Sequence, residues 1–339
     1  MGNAIRCVRT CSTLSAIMTF FVHIACISPG YSQAVHEHNL VSTFSIVACD
    51  TAAGELGIAV ASRFFSVGSV VPWAKADVGA VATQSSANTT FGWRGIELLE
   101  KGAQPEEVVK ILLRNDTDPL HRQFGIVAAD GKSATYTGKN CLPWAGGRSG
   151  PNYAVQGNIL AGEAVVIAME STFVHAQGTL ADRIYAALQA GDRMGGDARG
   201  RQSAALVIAK KNAGYNGYTD RAVDIRVDDH PDPFKELGRL LDYAQMNYAW
   251  NEAWTLFTKK KGAQALPYME RAFQRAPGNP EVLYDLCVIR LSAGKQSEAL
   301  DALDQALKLN PKLKSQARGD GDLSSLKGNA RFETMVKGQ

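Results

Sequence analysis

Residues 42–63, STFSIVACDTAAGELGIAVASR, restrict the possible folds more than any other stretch of this chain. They read as two buried strands joined by a turn. In the first, Thr43, Ser45, Val47 and Cys49 share one face, while Phe44, Ile46 and Ala48 share the other. Residues 51–55 are small and polar and include Gly54, a turn signal. Residues 56–61, LGIAVA, form the near-continuous apolar run expected of a strand covered on both faces. A Thr opens the first strand. Its hydroxyl can serve as a nucleophile if the chain is cut immediately before it, because the freed α-amine then acts as the base. An α-amine pKa of about 7.7–8.0 suits that work near neutral pH. A β-branched residue opening a strand is equally ordinary strand chemistry.

Further along, a third strand is expected over residues 78–84, after a loop carrying Pro72 and Trp73. Helices are expected over 93–101 and from Pro105, a residue suited to the first helical position; Val108, Val109, Leu112 and Leu113 would line the buried side. Residues 124–128 and 133–137 flank Asp130-Gly131 as a hairpin. Two more helices over 162–174 and 180–189 precede closing strands at 203–210 and 222–227. Strands first and last with helix pairs between suit an α+β arrangement of two stacked sheets covered by helices.

Residues 227–234, VDDHPDPF, hold three Asp and two Pro and read as a linker. Beyond it, with a helical lead-in over 236–259, KGAQAL at 261–266 is echoed by KQSEAL at 295–300, 34 residues later. Ala272-Phe273 and Pro277 recur at the same offset as Ala306-Leu307 and Pro311. That is the tetratricopeptide period, and two repeats are few for a free-standing solenoid. The expected divisions are a domain over 43–227, a linker over 228–239 and an all-α tetratricopeptide-like module over 240–339.

The runs TFSIVACD, GELGIAVASRFFSVGSVVPWA, VGAVATQSSAN, QGNILAG and GGDARGRQSAALVIAK resemble a bacterial domain-of-unknown-function family, number ten-twenty-eight, over roughly residues 43–227. Members of that family are similar to N-terminal-nucleophile (Ntn) hydrolases. The resemblance therefore implies a four-layer αββα sandwich with the nucleophile at the start of a buried strand. Cys49 stands where relatives more often carry a basic residue, so it is no candidate for catalysis.

The start of the chain has the form of a secretory signal. Arg6 and Arg9 precede a mostly apolar stretch over 12–27, and Ser32-Gln33-Ala34 offers small residues for cleavage after Ala34. The apolar run falls short of the ~20 residues a membrane span needs, and His23 interrupts it. An exported protein, periplasmic or extracellular, with a leader over 35–42 is expected. Thr43 gains a free amine only if a second cut falls before it, or if signal cleavage occurs there directly. Of six cysteines, Cys49, Cys141 and Cys287 lie beyond the signal segment; Cys49 and Cys141 could pair in an oxidising compartment, or all could remain buried thiols.

Several further residues suit a site. Arg63 ends the second strand and could hold a substrate carboxylate; Phe64 and Phe65 beside it suggest a paired, partly buried guanidinium. Gln84 and Asn88, after the third strand, and Asn158, in Gln156-Gly157-Asn158, could donate to an oxyanion, or could serve turns. The loop GGDARGRQS, residues 195–203, brings Asp197, Arg199, Gln202 and Ser203 together as a candidate substrate-binding segment, or as a carboxylate–guanidinium pair that shapes a loop. His36-Glu37-His38 and Asp228-Asp229-His230 read as solvated leader and linker, so no metal and no cofactor is expected. The net charge of +3 and the lack of basic–aromatic runs give no reason to expect nucleic acid. The leading reading is an Ntn-type amidohydrolase with Thr43 as nucleophile, acting on a small peptide or amino-acid-derived substrate. The alternative is a non-catalytic binding protein of the same fold, its repeats docking a protein partner.

Overall fold

The computed structural model describes residues 43–337. The expected signal segment, the leader and the histidines of His36-Glu37-His38 lie outside the described residues. Strands β1 (Thr43–Asp50) and β2 (Glu55–Ser62) form the expected hairpin, turned at Gly54 with φ 67°. They lie at the centre of a six-stranded sheet with β7 (Gly146–Gly150), β8 (Tyr153–Asn158), β9 (Ser203–Ala209) and β10 (Arg221–Val227), in the order β10-β9-β2-β1-β8-β7. A second sheet runs β3-β4-β5-β6, from Pro72–Lys75, Gly79–Ser85, Arg122–Ala128 and Ser133–Thr137. Every pairing in both sheets is antiparallel.

The alternation along β1 decides the layering. Val47 and Cys49 face the second sheet, in a core shared with Ile58, Val60, Ala80, Ala82 and Val127. Phe44, Ile46 and Ala48 face away from it, against helices α3 (Ala164–His175) and α4 (Leu180–Arg193), where Met169, Leu180, Ile184 and Leu188 are buried. On the far side of the second sheet, α1 (Thr90–Glu100) and α2 (Pro105–Arg114) cover Val81, Phe124 and Ile126 with Phe91, Ile96, Val108 and Leu112. Each such aliphatic or aromatic side chain taken fully from water contributes about 1.5–3 kcal/mol, before the cost of ordering the chain.

Three strands depart from expectation. The segment holding Pro72 and Trp73 is an edge strand, where a Pro lacking its N–H is tolerated. Strand β7 reads GGRSG and carries no hydrophobic alternation. Strand β8 reads YAVQGN, and its inward positions Gln156 and Asn158 are polar because they meet the hydroxyls of Ser45 and Thr135 and the amide of Gln123 rather than a greasy core. Cys49, Cys141 and Cys287 are buried free thiols, so Cys49 and Cys141 do not pair.

The stretch expected to be linker is partly helix. Helix α5 runs Pro233–Thr258, with Pro at its first turn and the Asp232 carboxylate accepting from the Lys235 N–H at 3.2 Å. Its first half buries Phe234, Leu237 and Leu241 in the core beneath the six-stranded sheet. Its second half buries Met246, Ala249 and Ala253 in a separate core. That second core is built with α6 (Gly262–Arg275), α7 (Pro280–Ser292), α8 (Gln296–Leu309), α9 (Leu313–Gly319) and α10 (Ala330–Val336). Within it the indole N–H groups of Trp250 and Trp254 both donate to one oxygen of Asp285, at 2.7 Å each. Among the described residues no helix is long and apolar enough to cross a membrane.

Candidate functional site

Ladder register brings four polar residues into one row. Thr43 pairs with Asn158 on β8 and with Ser62 on β2, and Ser62 pairs in turn with Ser203 on β9. In-register partners share a face, so all four side chains point toward the second sheet, at one end of the six-stranded one. All are buried. The Thr43 hydroxyl donates to Ser62 Oγ at 3.2 Å. Ser203 Oγ donates to the Phe64 carbonyl at 2.5 Å and accepts from the Val67 N–H at 3.1 Å, which ties down the chain leaving β2.

The second sheet answers with amides. Gln84 donates to the Thr43 carbonyl at 3.1 Å and to Gln123 Oε1 at 2.9 Å, while accepting from Ser45 Oγ at 2.6 Å. Asn158 also donates to Gln123 Oε1, at 2.8 Å, and Gln123 donates to the Gly157 carbonyl at 2.7 Å. Gln156 donates to Ser45 Oγ at 2.6 Å. Gly125 is required here, because a Cβ on it would lie 2.1 Å from Gln156 Oε1. The outcome is a buried polar network bridging the two sheets, its amides held in fixed orientations. Sequence reasoning picked out Thr43, Gln84, Asn158 and Ser203, and missed Ser45, Ser62, Gln123 and Gln156. The available signal was the alternation itself, which leaves polar residues at inward positions of strands otherwise apolar.

The glycine-rich loop occupies a defined place beside this row. Leu160 forms a bridge with Asp197, and the Arg63 N–H donates to Asp197 Oδ2 at 2.8 Å. The Ala198 N–H donates to the Ile159 carbonyl at 2.9 Å and the Ala161 N–H to the Gly196 carbonyl at 3.0 Å. Asp197 thus ties the chain leaving β2 to the chain leaving β8. The price is local backbone strain, for Ile159 sits at φ 50°, a region β-branched residues rarely adopt.

Asp197 is buried and also accepts from the Arg199 backbone N–H at 2.9 Å and from Arg199 Nη2 at 3.0 Å. Arg201 forms a two-pronged pair with Asp192, 2.7 Å on each prong, and lies over the Phe234 ring. Between them is a cavity of about 140 Å³ reached by Phe44, Ser62, Asp197, Arg201, Ser203 and Phe234. Arg201 and Phe234 were not singled out from sequence; Phe234 could not be, since it arrives from α5.

The other candidates fall outside this cluster or at its rim. Arg63 is exposed, not partly buried as its neighbours suggested, because the chain leaves the sheet at that point and Phe65 is itself 63% exposed. Its Nη1 reaches the Arg201 carbonyl at 3.4 Å. Asn88 works in a turn: it donates to Asp116 at 2.8 Å and accepts from the Thr90 N–H at 3.1 Å. Gln202 donates to Asp229 at 3.1 Å, and His230 Nδ1 accepts from the Asp232 N–H. Among the described residues no group of three His, Cys, Asp or Glu side chains is placed to hold a metal ion.

Two packed antiparallel sheets with covering helices, followed by a helical extension that matches the tetratricopeptide repeat over residues 256–319, define the class of protein. The chain belongs to the family of unknown function DUF1028, whose model matches residues 43–237. It is similar to a crystal structure of a family member from Silicibacter pomeroyi, at 29% identity and a TM-score of 0.56, covering 62% of this chain and 93% of that one. No curated protein matches this chain.

Proposed function

We propose that the domain is an Ntn-type hydrolase of four-layer αββα design, exported, and that it cleaves an amide bond in a small peptide or amino-acid derivative. The observation that carries this reading is the buried polar row in which Thr43 stands between Ser62 and Asn158, its hydroxyl on Ser62 Oγ at 3.2 Å. A chain cut before Thr43 would present its new α-amine between β2 and β8. The hydroxyl of Thr43 would attack the substrate carbonyl, and its own amine would take the proton and pass it to the leaving nitrogen. An amide of the network, Asn158 foremost, would face the oxyanion. Arg63 at the rim would meet a substrate carboxylate, and Asp197 with Arg199 would keep the amine's surroundings polar.

A second reading rests on a different observation: the amide groups of Gln84 and Gln123 are engaged within the protein. In that reading the network is structural, Thr43 is never freed, and the domain binds rather than cleaves, with the repeats supplying a protein-docking surface. The two part on one experiment. Protein recovered from its native host is sequenced from its N-terminus, and turnover of a panel of aminoacyl and acyl anilides is measured. The hydrolase reading expects Thr43 at the N-terminus, activity lost in Thr43→Ala and partly kept in Thr43→Ser. An N-terminus upstream of Thr43 in active protein, or an active Thr43→Ala variant, overturns it.

A further inference from the structure

The opposite end of the six-stranded sheet carries a second cleft. Asp50 closes β1, Glu55 opens β2 and Lys210 follows β9, so this end stands roughly 23 Å from Thr43 at the ordinary strand rise. Helices α5 and α6 pass over it and enclose a cavity of about 310 Å³, in the range of small-molecule sites and at the kind of boundary where they concentrate. Half-buried Tyr248 and Tyr268 and buried Leu180 supply apolar wall.

Most charged groups of this cleft are held in ion pairs. Glu55 pairs with Lys210 at 3.7 Å and Asp50 with Arg183 at 3.8 Å. Arg275 is taken by Asp182 at 3.0 Å and Asp242 at 2.9 Å. Arg271 remains. Its guanidinium carbon lies over the Tyr268 ring, 4.4 Å from the centroid, and among the described residues it makes no hydrogen bond or ion pair, although its charge acts on the Glu55 carboxyl. A cation–π contact of this kind steadies the guanidinium while leaving its N–H fork available, which suits bidentate capture of a carboxylate. Burial pushes the Glu55 carboxyl upward even though the charges of Lys210 and Arg271 oppose it.

We propose that this cleft binds a small amphipathic carboxylate of the acylated amino-acid type, its carboxylate on Arg271 and its apolar body against Tyr248, Tyr268 and Leu180. The site is separate from the Thr43 row and stands whether or not that row is catalytic. Since both the sheet and the helices line it, an occupant would also strengthen the docking of the helices.

Titration calorimetry of the full protein with N-acetyl-tyrosine and with N-acetyl-tyrosinamide tests this. The acid should bind saturably and the amide at least tenfold more weakly. Arg271→Gln should reduce binding of the acid at least tenfold, and Arg271→Lys should restore part of it. Because Arg271 is exposed on α6, both variants should keep the wild-type thermal midpoint. Thr43→Ala should change binding less than twofold. Absence of saturable binding, equal binding of acid and amide, an unaffected Arg271→Gln, or loss of binding in Thr43→Ala would each overturn the assignment.

Discussion

Thr43 and Ser62 face each other across the β1–β2 ladder, and the Thr43 hydroxyl donates to Ser62 Oγ at 3.2 Å. The contact belongs to the outermost row of the sheet. One inward-facing row deeper, Ser45 stands beside Gln156 and beneath Gln84. Two polar layers therefore close the inter-sheet core at this end, and the amides that bridge them come from both sheets.

Gln84 is the residue on which most of that bridge converges. Gln84→Ala removes partners from the Ser45 hydroxyl and from the Thr43 carbonyl, both buried. Leaving such groups unsatisfied costs about 1–3 kcal/mol apiece, so a loss of about 2–4 kcal/mol is expected in urea unfolding. A loss within experimental scatter would mean that the network is not under tension at Gln84.

Leu237 lies where a linker was expected, yet it is fully buried against the six-stranded sheet. Leu237→Ala should destabilise the protein by about 2–5 kcal/mol, the range for a truncated core leucine. Substitution of its exposed neighbour Lys235 should change stability by about 0.5 kcal/mol or less. A neutral Leu237→Ala would return this turn of helix to linker status.

Acid should loosen the contact between α4 and the helical extension. Burial raises the Asp182 carboxyl, but hydrogen bonds from Gln245, Thr179 and Arg275 outweigh it and hold the group below its ordinary value of 3.8. A lowered folded pKa contributes stability that is complete above 3.8 and is lost as pH falls through the folded value. The thermal midpoint of the wild type should thus fall more steeply than that of Asp182→Asn below pH ~4. Parallel curves would dismiss the contribution.

The described thiols should resist modification. Burial, then the charges of Asp50 and Asp130, push Cys49 up to about 11, and burial with Asp320 pushes Cys287 up to about 12. Peptide mapping after iodoacetamide at pH ~8 should find both unmodified in native protein and modified after denaturation, since the thiolate is the reactive form. Rapid native labelling of Cys49 would show that β1 opens locally.

What the sequence disclosed follows from where hydrophobic pattern carries information. The alternation of Thr43–Asp50 announced which side chains look inward, and the helices Pro105–Arg114 and Leu180–Arg193 announced themselves by the spacing of their apolar residues. β8 escaped notice because its inward Gln156 and Asn158 answer to hydroxyls and an amide on other strands, a partnership that no local pattern records. Gln123 and Gln156 escaped for the same reason. The place of Asp197 required knowing that residues 160, 63 and 197 meet, although the GGDARGRQS loop itself stood out.

Helix α5 places Phe234, Leu237 and Leu241 in one core and Met246, Ala249 and Ala253 in the other without a break between them. Its length is consequently a phase setting. Inserting one residue after Asp242 would advance everything downstream by about 1.5 Å and swing it by roughly 100° about the helix axis. Either the repeats would face a new direction or the helix would have to break. The chain can tolerate many substitutions along the exposed stripe of α5, but changes in its length are permitted only in steps that restore whole turns.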